Sequence, residues 1–185
     1  VTDTVYLIRH AEKPDGALAG VAASGDIDPE SLIVPGWQRA GALVAFFSGD
    51  ALAKPDRIYA SAPEKVHTTA GKAGSKSQRP LETVSPLAAK IGTSPILTFT
   101  KGQEEAIADD LRKRSGTSLV CWQHEAIPQL AASLTGGDLA IPKTWPGDRF
   151  DVVWIFERPA GGAWTFRQLP QNLLRGDLST VIAST

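Results

Sequence analysis

Two kinds of hydrophobic spacing alternate along the chain. Short unbroken apolar runs give way to longer stretches in which apolar side chains recur every three or four residues. The first run is Val5-Tyr6-Leu7-Ile8, with no polar residue inside it. Such a run predicts a strand covered on both faces. The run Leu119-Val120-Cys121-Trp122, opening at Ser118, reads the same way. Shorter strands are predicted over residues 57–61 and 95–99. Between these runs the helical period appears. Trp37, Ala40, Leu43, Val44 and Phe47 fall on one stripe, which predicts an amphipathic helix. Residues 79–92 predict a second, with Pro80 in its first turn and Gly92 at its end. Pro86 inside it predicts a kink or a split into two short helices. Residues 104–114 are acidic early and basic late, as the helix dipole favours. Residues 127–134 predict a further helix, stopped by Gly136-Gly137. Residues 150–156 and 164–169 read as a hairpin around a slightly long turn.

Strands alternating with helices imply an α/β fold, a three-layer α/β/α sandwich on a mostly parallel sheet. The C-terminal hairpin adds an antiparallel edge strand. Two connections stand out. Residues 13–35 are rich in Gly, Ala, Asp and Pro and are longer than most connections, so they are expected to wall or cover a site. Residues 62–74 read as a loop or an inserted turn, and are the other possible lid.

At 185 residues the chain fits one domain spanning 1–185. Nineteen basic and twenty acidic side chains leave a net charge of -1, so no global field favours a nucleic-acid partner. No apolar run has membrane-spanning length and no signal-like segment is present. The chain begins at Val1 rather than Met, which leaves open a removed leader or a trimmed start. A soluble protein is expected, cytoplasmic or secreted after leader removal. Cys121 is the single cysteine, expected to be a buried inert thiol.

The chemistry collects where apolar runs stop. Val5-Ile8 ends in Arg9-His10-Ala11-Glu12-Lys13, and the run to Trp122 ends in Gln123-His124-Glu125. In open α/β sheets ligands bind beyond the carboxyl ends of strands. A guanidinium there can fork onto a phosphate or carboxylate. An imidazole can act as nucleophile, base or acid near neutral pH. Arg79, at a predicted helix start, can share an anion with the free backbone N–H groups.

In this order the motifs resemble the histidine phosphatase superfamily, whose best-known branch is phosphoglycerate mutase-like. Tyr6-Leu-Ile-Arg-His-Ala-Glu-Lys-Pro14 is similar to its Arg-His signature. Gly36-Trp-Gln-Arg-Ala40 is similar to its first-helix start, and Arg79-Pro-Leu-Glu-Thr83 to its second-arginine helix. Leu119-Val-Cys-Trp-Gln-His124 is similar to its second-histidine strand. The resemblance spans residues 5–177. It implies a metal-independent phosphatase acting on a phosphate monoester through a phosphohistidine intermediate. His10 is then the nucleophile, and Arg9, Arg79 and His124 hold the phosphoryl oxygens. No metal or other cofactor is implied, and the expected partner is a small phosphorylated molecule. Oligomeric state stays open. A phosphomutase, a non-catalytic phosphoryl-binding protein and a repurposed pocket are the alternatives.

Ser61-Ala-Pro63, with Lys65, Thr69 and Ala70, imitates the second-arginine motif, but places lysine where a fork is needed. Arg79 is therefore preferred. Residues 62–74 become an insertion and His67 a surface loop residue. The proton donor has two candidates. Glu125 resembles the acid of the His-Asp pairing in the acid-phosphatase branch, and is put first. Glu104, before a helix, is nearer the position of the mutase-like glutamate. Glu12 is read as a hydrogen-bond partner in the site. Trp122 and Trp154 are expected in the core, while Trp37 and Trp145 are candidates for stacking on a substrate.

Overall fold

The computed structural model describes residues 2–68 and 71–184, the side chains of 66–68 excepted. Its frame is a five-stranded sheet in the order β2-β5-β1-β6-β7. β1 (Thr2–Arg9) pairs in parallel with β5 (Thr117–Trp122), and β5 with β2 (Arg57–Ala60). β6 (Val152–Pro159) runs antiparallel to β1 and to β7 (Thr165–Pro170). Four strands thus point one way. The reversed strand lies one in from the edge, and β7 closes the sheet beyond it.

Helices cover both faces, which explains the unbroken apolar runs. Along β1, Tyr6 and Ile8 pack with Leu43 and Phe47 of α1 (Val34–Ser48) and with Val84 and Leu87 of α2 (Arg79–Ile91). Val5 and Leu7 face the other way. They meet Ile107 and Leu111 of α3 (Glu104–Arg112) and Leu130 and Leu134 of α4 (Ile127–Thr135). Alternate residues of one strand therefore serve two cores. Trp122, Trp154 and Cys121 are fully buried, and burial pushes the Cys121 thiol up. Among the described residues no helix is long and apolar enough to cross a membrane.

The structure departs from the sequence reading in three places. α2 does not split at Pro86. The proline leaves the Glu82 carbonyl without an N–H partner, but Thr83, Val84, Leu87 and Ala88 bury on both sides of it and hold one helix. Residues 95–99 form no strand, only one parallel bridge from Ile96 to Tyr59. Ile96 and β2 exchange two backbone hydrogen bonds, and Pro95 beside it has no N–H to extend the ladder. Residues 62–74 are not a plain loop. β3 (Lys65–Thr68) and β4 (Gly71–Gly74) pair antiparallel as a separate small sheet. This segment lacks apolar alternation, so its pairing left no periodic sign. Main-chain geometry holds it instead. The Gly74 N–H donates to the Lys101 carbonyl at 2.6 Å. Gly74 has φ of +102°, and a Cβ there would lie 2.0 Å from the Glu64 carbonyl oxygen. Thr69, Ala70 and the side chain of His67 lie outside the described residues.

Candidate active site

The parallel register places Arg9 opposite Trp122, so both strands end together. The His10 N–H donates to the Trp122 carbonyl at 3.1 Å, which brings His10 to the threshold of Gln123-His124. α2 arrives from the other side. Thr83 Oγ1 accepts the Ala11 N–H at 2.9 Å and donates to the Arg79 carbonyl at 2.7 Å. One hydroxyl thus fixes the start of α2 against the residue after His10. Thr83 is fully buried, so Thr83→Val keeps the shape and strands the Ala11 N–H. It is expected to cost about 1–3 kcal/mol, read from the urea midpoint.

The structure brings Arg9, His10, Arg79 and His124 into one electrostatic neighbourhood. Arg9 is 1% exposed. Its Nη1 donates to the carbonyls of Gly147 at 2.7 Å and Arg149 at 3.1 Å. Its guanidinium lies 3.7 Å from the centre of the Phe150 ring. Nε and Nη2 are buried and have no partner among the described residues. Arg79 is arranged similarly. Its Nη1 donates to the Pro29 carbonyl at 3.0 Å, Glu30 lies 3.8 Å from Nη2, and Nε is buried without a partner. Buried donors without acceptors are costly. Here they belong to two cations beside two histidines, which is the donor set of an anion site. Lys65 is exposed, and it is the charge of Arg79 rather than of Lys65 that acts on His10.

His10 is 4% exposed, and its Nδ1 lies 2.8 Å from the Ala11 carbonyl oxygen. A carbonyl only accepts, so Nδ1 carries the proton and Nε2 keeps a free lone pair. Burial, joined by the charges of Arg9, Arg79 and His124, lowers its pKa to about 3. Burial also lowers His124, reinforced by Arg9. The His10 shift has a sign that can be checked. Below the ordinary value of 6.5 the unfolded chain protonates this histidine while the folded chain does not. Stability is therefore complete above 6.5 and falls as pH drops toward 3. Denaturation midpoints should decline over that window, and less steeply in His10→Gln.

The two glutamates differ. Glu104 is 3% exposed, and its Oε1 accepts from Trp122 Nε1 at 2.9 Å and from the Gly102 N–H at 2.8 Å. Glu125 is the more open, with its side chain 47% exposed and hydrogen-bonded by Lys101 Nζ. Burial would raise its carboxyl, but Lys101, its own backbone N–H and His124 together outweigh this and hold it at about 2. Glu125 Oε2 lies 2.9 Å from His124 Nδ1, without the alignment of a hydrogen bond. Glu12 accepts from Arg39 through both Nε and Nη2, and Arg39 also donates to Asp177 and Gln171. This ties the residues after His10 to α1 and the C-terminal segment.

Trp145 is not free to stack, while Trp37 is only partly buried. Trp145 is 4% exposed, 4.9 Å from Trp154, and donates to the Arg149 carbonyl. Trp37 donates to the Val21 carbonyl at 2.8 Å and packs on Ala11, Leu32 and Ala40. The loop 13–35 is fastened beside Arg79, with Ser31 Oγ and Leu32 N–H bonded to Glu82. Phe150, Gly147 and Lys101 had no sign in the sequence. They reach the site through loops far along the chain, and the Gly147 contact uses main-chain oxygen. Among the described residues, no three His, Cys, Asp or Glu side chains converge as a metal-ligand set.

No protein-family model matches the sequence, and no curated protein matches it. Solved structures do match. The protein histidine phosphatase SixA, complexed with tungstate, matches with a TM-score of 0.55 at 15% identity, over 91% of this chain and 97% of its own. Phosphoglycerate mutase from Plasmodium falciparum matches at 0.55 and 14%, over 98% and 99%. Phosphoserine phosphatase from Entamoeba histolytica, with 3-phosphoglyceric acid, matches at 0.51 and 16%, over 89% and 94%. At such identities the likeness speaks for the fold. The chain has the phosphoglycerate mutase-like fold.

Proposed function

We propose that this protein hydrolyses a phosphate monoester of a small molecule through a phosphohistidine formed on His10. The observation that carries the reading is the set of buried, unpartnered N–H groups of Arg9 and Arg79 beside a neutral imidazole. Nε2 of His10 attacks phosphorus with its lone pair, and the bond to the leaving oxygen breaks. Arg9, Arg79 and His124 hold the three equatorial oxygens, where charge spreads in the transition state. Guanidinium donors fixed before the substrate arrives need no reorganisation at that moment. Water then attacks the phosphohistidine, releasing phosphate and restoring the imidazole. The solved structures of this fold include phosphatases as well as a mutase, which agrees with the chemistry.

Glu125 is placed as the acid that protonates the leaving oxygen. It is ionised in the free protein, so it must gain a proton in the complex. The bound phosphate works in that direction, because a second negative charge disfavours the carboxylate. Glu104 is placed as a positioning group for Trp122 and the 101–102 turn. Release of p-nitrophenol from its phosphate ester, undiminished by EDTA, tests the reading; absence of release from any phosphomonoester sinks it. Glu125→Gln should slow esters with poor leaving groups about 10²–10⁴-fold and p-nitrophenyl phosphate far less. Glu104→Gln should not sort substrates by leaving-group quality.

A further inference from the structure

Beside Glu125 lies a cavity of about 300 Å³, walled by β4 of the hairpin, the 101–102 turn and the start of α4. Small residues keep it open: Ala73, Gly74, Gly102 and Ala126 all line it. The hairpin packs tightly there, since a Cβ on Gly102 would come within 2.7 Å of the Ala73 methyl. Its charged lining has both signs. Lys72 and Lys101 carry the ammonium groups, Glu104 and Glu125 the carboxylates. Lys72 is exposed and has no ion-pair partner among the described residues. Glu104 is nearly buried, and its Oε1 takes both donors that reach it. Its Oε2 has no donor among the described residues. An anionic group is thus wanted at one side of the cavity and a cationic donor at the other.

We infer that this cavity receives the leaving group of the substrate, and that the leaving group is zwitterionic, carrying both a carboxylate and an ammonium, as in the phosphate ester of a hydroxy amino acid. The inference rests on the phosphatase reading, because Glu125 joins the cavity to the His124 side of the site. The carboxylate meets Lys72 and Lys101. The ammonium meets Glu104, while Glu125 keeps its place beside Lys101 and His124. The size suits a small metabolite rather than a nucleotide or a folded protein. A purely anionic leaving group would leave Glu104 facing like charge, and a purely cationic one would leave Lys72 unmatched.

The test compares kcat/KM for four alkyl phosphates with leaving groups of similar reactivity: O-phospho-L-serine, 3-phosphoglycerate, phosphoethanolamine and glycerol phosphate. The expected order puts O-phospho-L-serine first and glycerol phosphate last. Lys72→Gln should lower the ratio of O-phospho-L-serine to phosphoethanolamine by up to about fivefold, as for an exposed ion pair. Glu104→Gln should lower the ratio of O-phospho-L-serine to 3-phosphoglycerate. Ratios within one variant cancel any loss of folded protein. Equal turnover of the four esters, 3-phosphoglycerate in first place, or ratios untouched by both variants overturns the inference. p-Nitrophenyl phosphate separates the two failures. His10-dependent release with no preference among the four leaves the phosphatase reading standing and removes this one. No release from any ester removes both.

Discussion

His10→Ala should lose at least about 10³-fold in kcat on any phosphomonoester, while still binding inorganic phosphate. The two halves of that result have separate causes. Chemistry needs the Nε2 lone pair, which the Ala11 carbonyl secures by taking the Nδ1 proton. Binding needs the donors of Arg9 and Arg79 and the imidazole of His124, which the substitution leaves in place. Calorimetric titration with phosphate, beside steady-state kinetics, reads both halves. The unsubstituted protein should gain nothing from deprotonation of His10 on raising pH, because His10 is already neutral across the ordinary assay range. A variant that keeps turnover would remove the nucleophile from the mechanism.

Arg9→Lys should cost about 10²–10³-fold in kcat/KM, although the charge is kept. Arg9 does three things with one planar group. Nη1 ties the 147–149 loop to the end of β1, the face stacks on Phe150, and Nε and Nη2 remain for an anion. Burial lowers its pKa to about 10, which still leaves a cation at neutral pH. A lysine nitrogen cannot satisfy two loop carbonyls and offer a flat pair of donors as well. Freed carbonyls should also weaken the fold, by about 1–3 kcal/mol for each left buried and unpaired. A thermal melt beside the kinetics separates this from the catalytic loss. The catalytic part should persist at temperatures where the variant is fully folded.

The reach of the sequence followed the range of the interactions. β1 and β5 were legible because each is apolar on both faces, and because each stops abruptly in charge. His10 and His124 stood out for that reason. Arg79 was legible as an arginine four residues before Thr83 at a helix start, and Thr83 turned out to be the residue that docks that start. Other features depend on contacts that leave no local pattern. The hairpin 65–74 is held by glycine geometry and main-chain bonds to Lys101 rather than by apolar alternation. Phe150 reads as the head of a strand, yet it carries the Arg9 guanidinium. The bonds from Arg9 to Gly147 and Arg149 end on carbonyl oxygen, which any residue supplies. Of the two outcomes Pro86 predicted, the split is excluded, because burial on either side holds α2 as one helix. Trp145 was over-read as a substrate platform, because its place beside a loop did not reveal Trp154 beneath it.

The central claim is a covalent bond between phosphorus and His10. Rapid mixing with excess p-nitrophenyl phosphate, an alkaline quench and peptide mass spectrometry read it directly. The phosphoryl group should be found on the peptide bearing His10 and be absent in His10→Ala. Steady phosphate release with no phosphorylated peptide at any mixing time, or with the group on His124 instead, would contradict it.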